Sequence, residues 1–285
     1  MSQVLLDPKV ISWIENYNSE KTKEAALTSY KAMLNYLDRT NQEETIWIKS
    51  LQETEDSKYH KLSEMVNDVS NLVEPASIKQ YYNFWKAYLR FVHGIKIYNE
   101  DAKYFVKPPK NIKRIREPLT KEIIKELCKD SDGIRRAEYL VLSSSGMRMS
   151  EFLNTDRNNF DLDNRTVHIQ GKLTKTKVQR TTFISKEAVN AIEKTDNFWD
   201  KRTYHNEASY FWRLRERLNL TDRYEDSIVH KITLHGFRSF TRTNAGKINQ
   251  DFAEQLIGHK GPYVRLSDAE MQSYYQKLEP KIKIF

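Results

Sequence analysis

The chain has 285 residues, 39% of them apolar and 12% aromatic, with only 8 glycines and 7 prolines. That composition supports one large or two modest cores, and it excludes a collagen-like, low-complexity or disordered chain. The formal net charge is +8, unevenly spread: residues 1–106 hold 13 Lys and Arg against 15 Asp and Glu, and the remainder holds 34 against 24. A positive excess confined to the C-terminal two-thirds is the footprint of a protein that binds a phosphate backbone. The single cysteine, Cys128, forms no intrachain disulfide, the opening MSQVLLDPKV lacks the apolar core of a signal peptide, and no run reaches the length of a membrane span. A soluble, intracellular, DNA-associated protein is expected.

The first third reads as helical. Leu27, Tyr30, Leu34 and Leu37 recur at spacings of three and four, as do Tyr81, Phe84, Trp85, Tyr88, Phe91 and Val92. Gly94 marks a helix end. Residues 107–118, within KPPKNIKRIREPLT, carry prolines and no apolar period, so they are expected to be a linker. Lys107, Lys110, Lys113, Arg114 and Arg116 make that linker basic, suited to lie along DNA or simply to be solvated. Thr120 then suits the N-cap of a helix over KEIIKELCKD, and a second helix over 134–145 ends near Gly146. Residues 165–185 change character: Val167, Ile169, Val178, Phe183 and Ile184 among threonines predict two strands and a turn. Helical patterns return over 186–194, 207–218, 235–247 and 250–257, with a last helix over about 268–277. The expected fold is mainly α: a helical domain over 1–106, the linker, and over 119–285 a mostly helical domain with one small β-hairpin.

Five polar features punctuate that second domain: Arg148 in GMRMSE, Lys175 in the hairpin, His235 and Arg238 in LHGFR, His259 in LIGHK, and the Tyr274–Tyr275 pair. Each alone has a plain structural reading: an arginine in a surface ion pair, a solvated lysine, a capping histidine after glycine, packed tyrosines. In this order they resemble the tyrosine recombinases, or phage-type integrases. That family has G-x-R-x-S-E after a helix, a hairpin lysine, H-x-x-R opening a helix, L-G-H closing one, and a final tyrosine. The resemblance covers about residues 118–285; residues 1–106 match the family's helical core-binding domain, a DNA clamp, only in size and pattern.

The resemblance implies a metal-free, cofactor-free enzyme that cuts and rejoins double-stranded DNA through a 3′-phosphotyrosine intermediate, as a homotetramer on two sites. Its chemistry accounts for the residue types. The transition state places negative charge on non-bridging phosphate oxygens, which forked guanidinium groups bind well; the resemblance assigns these to Arg148 and Arg238. A phenol of pKa about 10 needs proton removal or nearby cations, roles implied for His235 and the arginines. The hairpin lysine is implied to protonate the leaving 5′-oxygen, and His259 to bind the scissile phosphate. Glu151, one turn beyond Arg148, is expected to orient that arginine.

The hairpin offers Lys172, Lys175 and Lys177. The family lysine lies eight residues before a proline-like position that Phe183 occupies here, which points to Lys175; Lys172, Lys177 and Arg180 are expected to contact phosphates. The family tyrosine lies about ten residues beyond the L-G-H histidine. Here Tyr274 and Tyr275 lie 15 and 16 beyond His259, and Tyr263 only four. The Q-K-L after Tyr275 favours it as nucleophile, with Tyr274 as the alternative; about 100° apart on a helix, only one can face the phosphate. The apolar tail KIKIF is suited to dock on a neighbouring protomer or on its own domain. The rival class is a catalytically silent DNA-binding protein on the same scaffold.

Overall fold

The computed structural model describes residues 6–110, 118–174, 177–225, 227–259 and 265–285. The chain divides into two compact units, 1–114 and 115–285. The boundary falls within 111–117, outside the described residues, and with it Lys113, Arg114 and Arg116 of the basic segment. Lys107 and Lys110 are exposed.

Among its described residues the first unit has only helices: α1 (Pro8–Glu15), α2 (Glu20–Arg39), α3 (Glu44–Ser50), α4 (Ser57–Ser70), α5 (Pro75–His93) and α6 (Asn99–Phe105). Its core gathers Trp13, Met33, Trp47, Leu62, Met65, Ile78, Trp85 and Tyr88. The apolar stripe of α5 is Ile78, Tyr82, Trp85 and Leu89 with Tyr88 beside it, whereas Phe91, on the expected face, is 49% exposed. Buried polar atoms fix the packing: Trp85 Nε1 donates to the Ser29 carbonyl at 2.7 Å, tying α5 to α2. Glu44 accepts from both Tyr30 and Tyr88. As expected, α5 ends at Gly94, whose φ of 70° supplies the left-handed cap that an L side chain resists.

The second unit comprises α7 (Lys121–Lys129), α8 (Gly133–Ser145), α9 (Met149–Leu153), three strands, then α10 (Lys186–Glu193), α11 (Tyr204–Arg217), α12 (His235–Gly246), α13 (Gln250–Ile257) and α14 (Asp268–Ile282). The Thr120 hydroxyl caps α7 and the Asp132 carboxylate caps α8. The strands β1 (Phe160–Asp161), β2 (Thr166–Ile169) and β3 (Arg180–Phe183) form one antiparallel sheet in that order, with Phe160 opposite Val167 and Thr166 opposite Phe183. The unit is therefore mainly α with a small sheet, as the sequence predicts, with two differences. A third, two-residue strand joins the hairpin. Val178 lies outside β3 and is 61% exposed.

Helix α8 is the axis of this unit: every residue from Ala137 to Ser145 is buried, and α7, α10, α12, α14 and β3 all pack on it. The last four carbonyls of a helix have no intrahelical partner, and buried ones must be satisfied from elsewhere. At the end of α8 four side chains do so. Thr241 of α12 donates to the Ser143 carbonyl at 2.8 Å, Tyr275 of α14 to Ser144 at 3.2 Å, Thr182 of β3 to Ser145 at 2.7 Å, and Arg238 of α12 to Gly146 at 2.7 Å. The end of one helix thereby fixes three elements around it.

Earlier on α8, Glu138 is completely buried beside a second buried carboxylate, Glu207. Arg135 grips Glu207 through two bonds of 2.9 and 2.8 Å, while Arg202 lies 3.4 Å from Glu138 Oε2 and 3.3 Å from Glu207 Oε1. Burial, and then the charge of Glu207, push the Glu138 carboxyl from 4.5 up to about 8. The folded state thus holds a proton that the unfolded chain releases near pH 4.5, so stability falls as pH rises from about 4.5 to 8. Glu138→Gln is expected to flatten that fall, which thermal unfolding at pH 5, 6.5 and 8 measures; an unchanged slope would place the buried proton elsewhere.

Candidate active site

The site forms where the ends of α8 and α13 and the start of β3 meet the start of α9. Gly146 closes α8 with a φ of 64°, and the chain turns at once into α9, with Arg148 at its N-cap. Glu151, one turn on, accepts the Arg148 backbone N–H at 2.9 Å and its guanidinium Nη1 at 2.6 Å. Glu151 is fully buried, and two more arginines reach it: Arg180 from β3 at 2.6 Å, and Arg238 from α12 at 3.8 Å. Burial alone would raise the Glu151 carboxyl; Arg180 and then Arg148 outweigh it and hold the group below its ordinary value.

The three guanidinium groups differ in exposure: Arg148 keeps 24% of its side chain accessible, Arg180 7% and Arg238 3%. Arg148 is thus the edge of the cluster that a ligand meets first. Arg238 donates through Nη1 to the Gly146 carbonyl and through Nη2 to the Ile257 carbonyl at 2.6 Å, so it caps α8 and α13 together. Helix C-termini carry partial negative charge, which helps to hold a cation there. Burial and the neighbouring Arg148 still push the Arg238 guanidinium from 12.5 down to about 9, leaving it charged at neutral pH. Three cations on one carboxylate make a cluster with excess positive charge at low dielectric, where an anion is bound strongly.

The two histidines flank Arg238 in sequence. His235 is the exposed first residue of α12, one turn before Arg238. His259 follows Gly258, the left-handed cap of α13, and its Nδ1 lies 2.6 Å from Glu254 Oε2. Glu254 also holds Arg242 through Nε at 2.9 Å, which sets its carboxylate and through it the imidazole. Lys172 and Lys177 are exposed in the β2–β3 connection, Lys177 with a left-handed φ of 59°. Lys175 lies outside the described residues.

Arg180 departs from expectation. The sequence points to phosphate contact beside the hairpin lysines, yet the Arg180 guanidinium is buried and engaged: Nη2 with Glu151 and Nε with the Leu256 carbonyl at 3.2 Å. The alternation of a strand could have revealed this, since Arg180 shares a face with the buried Thr182. With Gln179 before it and Thr181 and Thr182 after it, no apolar phase shows which face points inward.

The tyrosines depart further. Tyr275 is 3% exposed and stacks on Phe183 with ring centroids 4.9 Å apart. Its hydroxyl satisfies the Ser144 carbonyl, and burial raises the phenol far above its ordinary pKa. So placed, Tyr275 is a core residue with no face open to a substrate. Tyr274, half-buried, stacks on Phe252 at 5.5 Å, and its hydroxyl lies 3.5 Å from Asn249 Nδ2. Tyr263 lies outside the described residues. Helix α14 is also longer than expected, running through Pro280 to Ile282, because its end is held: Glu279 accepts from Arg165 and from the Lys186 backbone, and Lys121 donates to the Pro280 carbonyl. The tail docks on its own unit, with Glu187 accepting the backbone N–H groups of Ile284 and Phe285.

The Phage integrase family model matches residues 113–277, more than half of the chain. The chain belongs to the phage integrase family, the tyrosine recombinases. No curated protein matches in sequence. Lambda integrase residues 75–356, solved as a dimer bound to a COC′ core site, is similar in fold: TM-score 0.63 and 16% identity over 93% of this chain and 94% of that one. The Tn1549 transposon integrase in complex with transposon right end DNA gives 0.62 and 14% over 95% and 98%. A lambda integrase tetramer bound to a Holliday junction gives 0.62 and 14% over 91% and 79%. Among the described residues, no helix of this chain is long and apolar enough to cross a membrane.

A capping role for Tyr275 has a direct consequence. Tyr275→Phe leaves the buried Ser144 carbonyl without its donor, and is expected to lower the unfolding free energy by about 1–3 kcal/mol. Denaturant unfolding measures the change. A variant as stable as wild type would mean that the phenol is not bound in the core.

Proposed function

We propose that this integrase-family protein is an active site-specific recombinase that cleaves and rejoins double-stranded DNA through a 3′-phosphotyrosine bond, acting as a homotetramer on two DNA sites. The observation that carries this reading is the convergence of Arg148, Arg180 and Arg238 on the single carboxylate of Glu151, a cluster whose excess charge suits an oxyanion.

The reading assigns roles as follows. Arg148 and Arg238 bind the non-bridging oxygens of the scissile phosphate. A guanidinium has five N–H donors, so the two carbonyls that Arg238 caps leave it donors to offer. A tyrosine oxygen attacks phosphorus, the bond to the 5′-oxygen breaks, and that oxygen takes a proton, from Lys175 by the family pattern. His235 takes the phenolic proton, and His259 donates to the phosphate. The covalent bond conserves the energy of the phosphodiester, so attack by a 5′-hydroxyl reverses the step and rejoins DNA. By the family pattern the nucleophile is Tyr275, with Tyr274 the alternative; Tyr275 is packed in the core and Tyr274 is half-buried, so attack requires α14 to shift on DNA. Lys107, Lys110, Lys113, Arg114, Arg116, Lys172 and Lys177 supply phosphate contacts outside the reacting centre.

The same packing of Tyr274 and Tyr275 favours one other reading, a DNA-binding protein that has the cluster but does not cut. Trapping on nicked duplexes drawn from a library of the source genome, with EDTA present, separates the two. Recombinase activity yields a denaturation-resistant adduct mapped to Tyr275 or Tyr274 and lost in Arg148→Ala. An adduct mapped to Tyr275 would mean that α14 leaves the core on DNA. Sequence-selective binding with no adduct on the bound duplexes would establish the non-cutting reading. Arg238→Ala is expected to lose stability as well as cleavage, because it uncaps two helices at once, whereas Arg148→Ala keeps its fold; circular dichroism and thermal unfolding distinguish them.

A further inference from the structure

Arg180 sits where three parts of the site meet. It begins β3, at the end of the connection that carries the hairpin lysines. Its Nη2 holds Glu151 Oε2 at 2.6 Å, and its Nη1 lies 3.4 Å from Oε1. Its Nε bonds the Leu256 carbonyl in the last turn of α13, three residues before His259. Gly258 is shaped around it: a Cβ there would lie 2.7 Å from Arg180 Cδ, and the φ of 69° already disfavours any other residue. One side chain thereby joins the start of α9, the end of α13 and the hairpin.

The position of Arg238 gives this geometry its meaning. Arg238 Nη1 is 3.8 Å from the same Glu151 oxygen that Arg180 holds at 2.6 Å. A carboxylate released from Arg180 would close on the nearest remaining cation, and in a buried site that pair would be tight. Arg238 would then be neutralised by Glu151.

We propose that Arg180 is a positioning residue: by occupying Glu151 it keeps that carboxylate from capturing Arg238, so that Arg148 and Arg238 remain available to a phosphate. The inference rests on the reading that the cluster binds phosphate, and it goes beyond it in giving Arg180 a role through Glu151 rather than on DNA. The same contacts register β3 against the arginines.

Inorganic phosphate serves as the probe, read as the rise it produces in thermal midpoint over a chloride control of equal ionic strength. Wild type is expected to show the rise, Arg180→Ala to lose most of it, and Arg180→Ala/Glu151→Gln to regain it, because a neutral amide no longer competes for Arg238. Arg180→Lys, a point donor unable to hold Glu151 and Leu256 together, is expected to fall between. A residue that only supported the fold would give a double variant no better than the single one. Where Arg180→Ala does not fold by circular dichroism, Arg180→Lys and Arg180→Lys/Glu151→Gln carry the same comparison. A full phosphate response in the single variant, or no recovery in the double, would overturn the proposal. So would a wild type indifferent to phosphate, while the DNA-cleavage reading would still be judged separately by covalent adduct.

Discussion

The carbonyls at the end of α8 organise this catalytic-type unit. A helix buried from Ala137 to its end must still satisfy its last carbonyls, and water cannot reach them. The four that end α8 take donors from Thr241, Tyr275, Thr182 and Arg238, which belong to α12, α14 and β3. Hydrogen bonds of this kind contribute modestly one by one, but each is expensive to leave unmade. The need to complete one helix end therefore sets where the sheet edge, the arginine helix and the final helix come to rest. The site is built at that junction.

The cluster has its own economy of charge. Arg238 is held by carbonyls at two helix ends, Arg180 by a carboxylate and a third carbonyl, and Arg148 by the same carboxylate at the rim. Fixed carbonyl dipoles hold cations in place without neutralising them as carboxylates would. That is a preorganised anion site: its donors are ordered before the ligand arrives, so little reorganisation is left to be done. A point cation such as lysine could not meet several partners in one plane, which is why arginines occupy all three positions.

The C-terminal segment shows how one residue type serves two ends. A tyrosine is a large apolar body with a hydroxyl at its tip, and Tyr275 uses both, stacking on Phe183 while capping α8. The end of helix α14 is fastened by contacts of Glu279 and Pro280, and the tail beyond it by Glu187, all within the same unit. Moving it would break these bonds together, which makes a packed Tyr275 costly to release.

The sequence by itself determined the mainly helical class, a charge asymmetry suited to a phosphate backbone, the helix ends at Gly94, Gly146 and Gly258, and the ordered motifs of the family. These are legible because periodicity, caps and local motifs depend on neighbours in the chain. Only the tertiary structure decided that Arg180 faces inward, that Glu138 is a buried carboxyl, that the true stripe of α5 excludes Phe91, and that Tyr275 belongs to the core. The Q-K-L that follows Tyr275 points to it as the nucleophile, because sequence records only neighbours along the chain. Whether a hydroxyl meets a substrate or a buried carbonyl depends on partners more than a hundred residues away, here Ser144, and no local pattern encodes such a pairing.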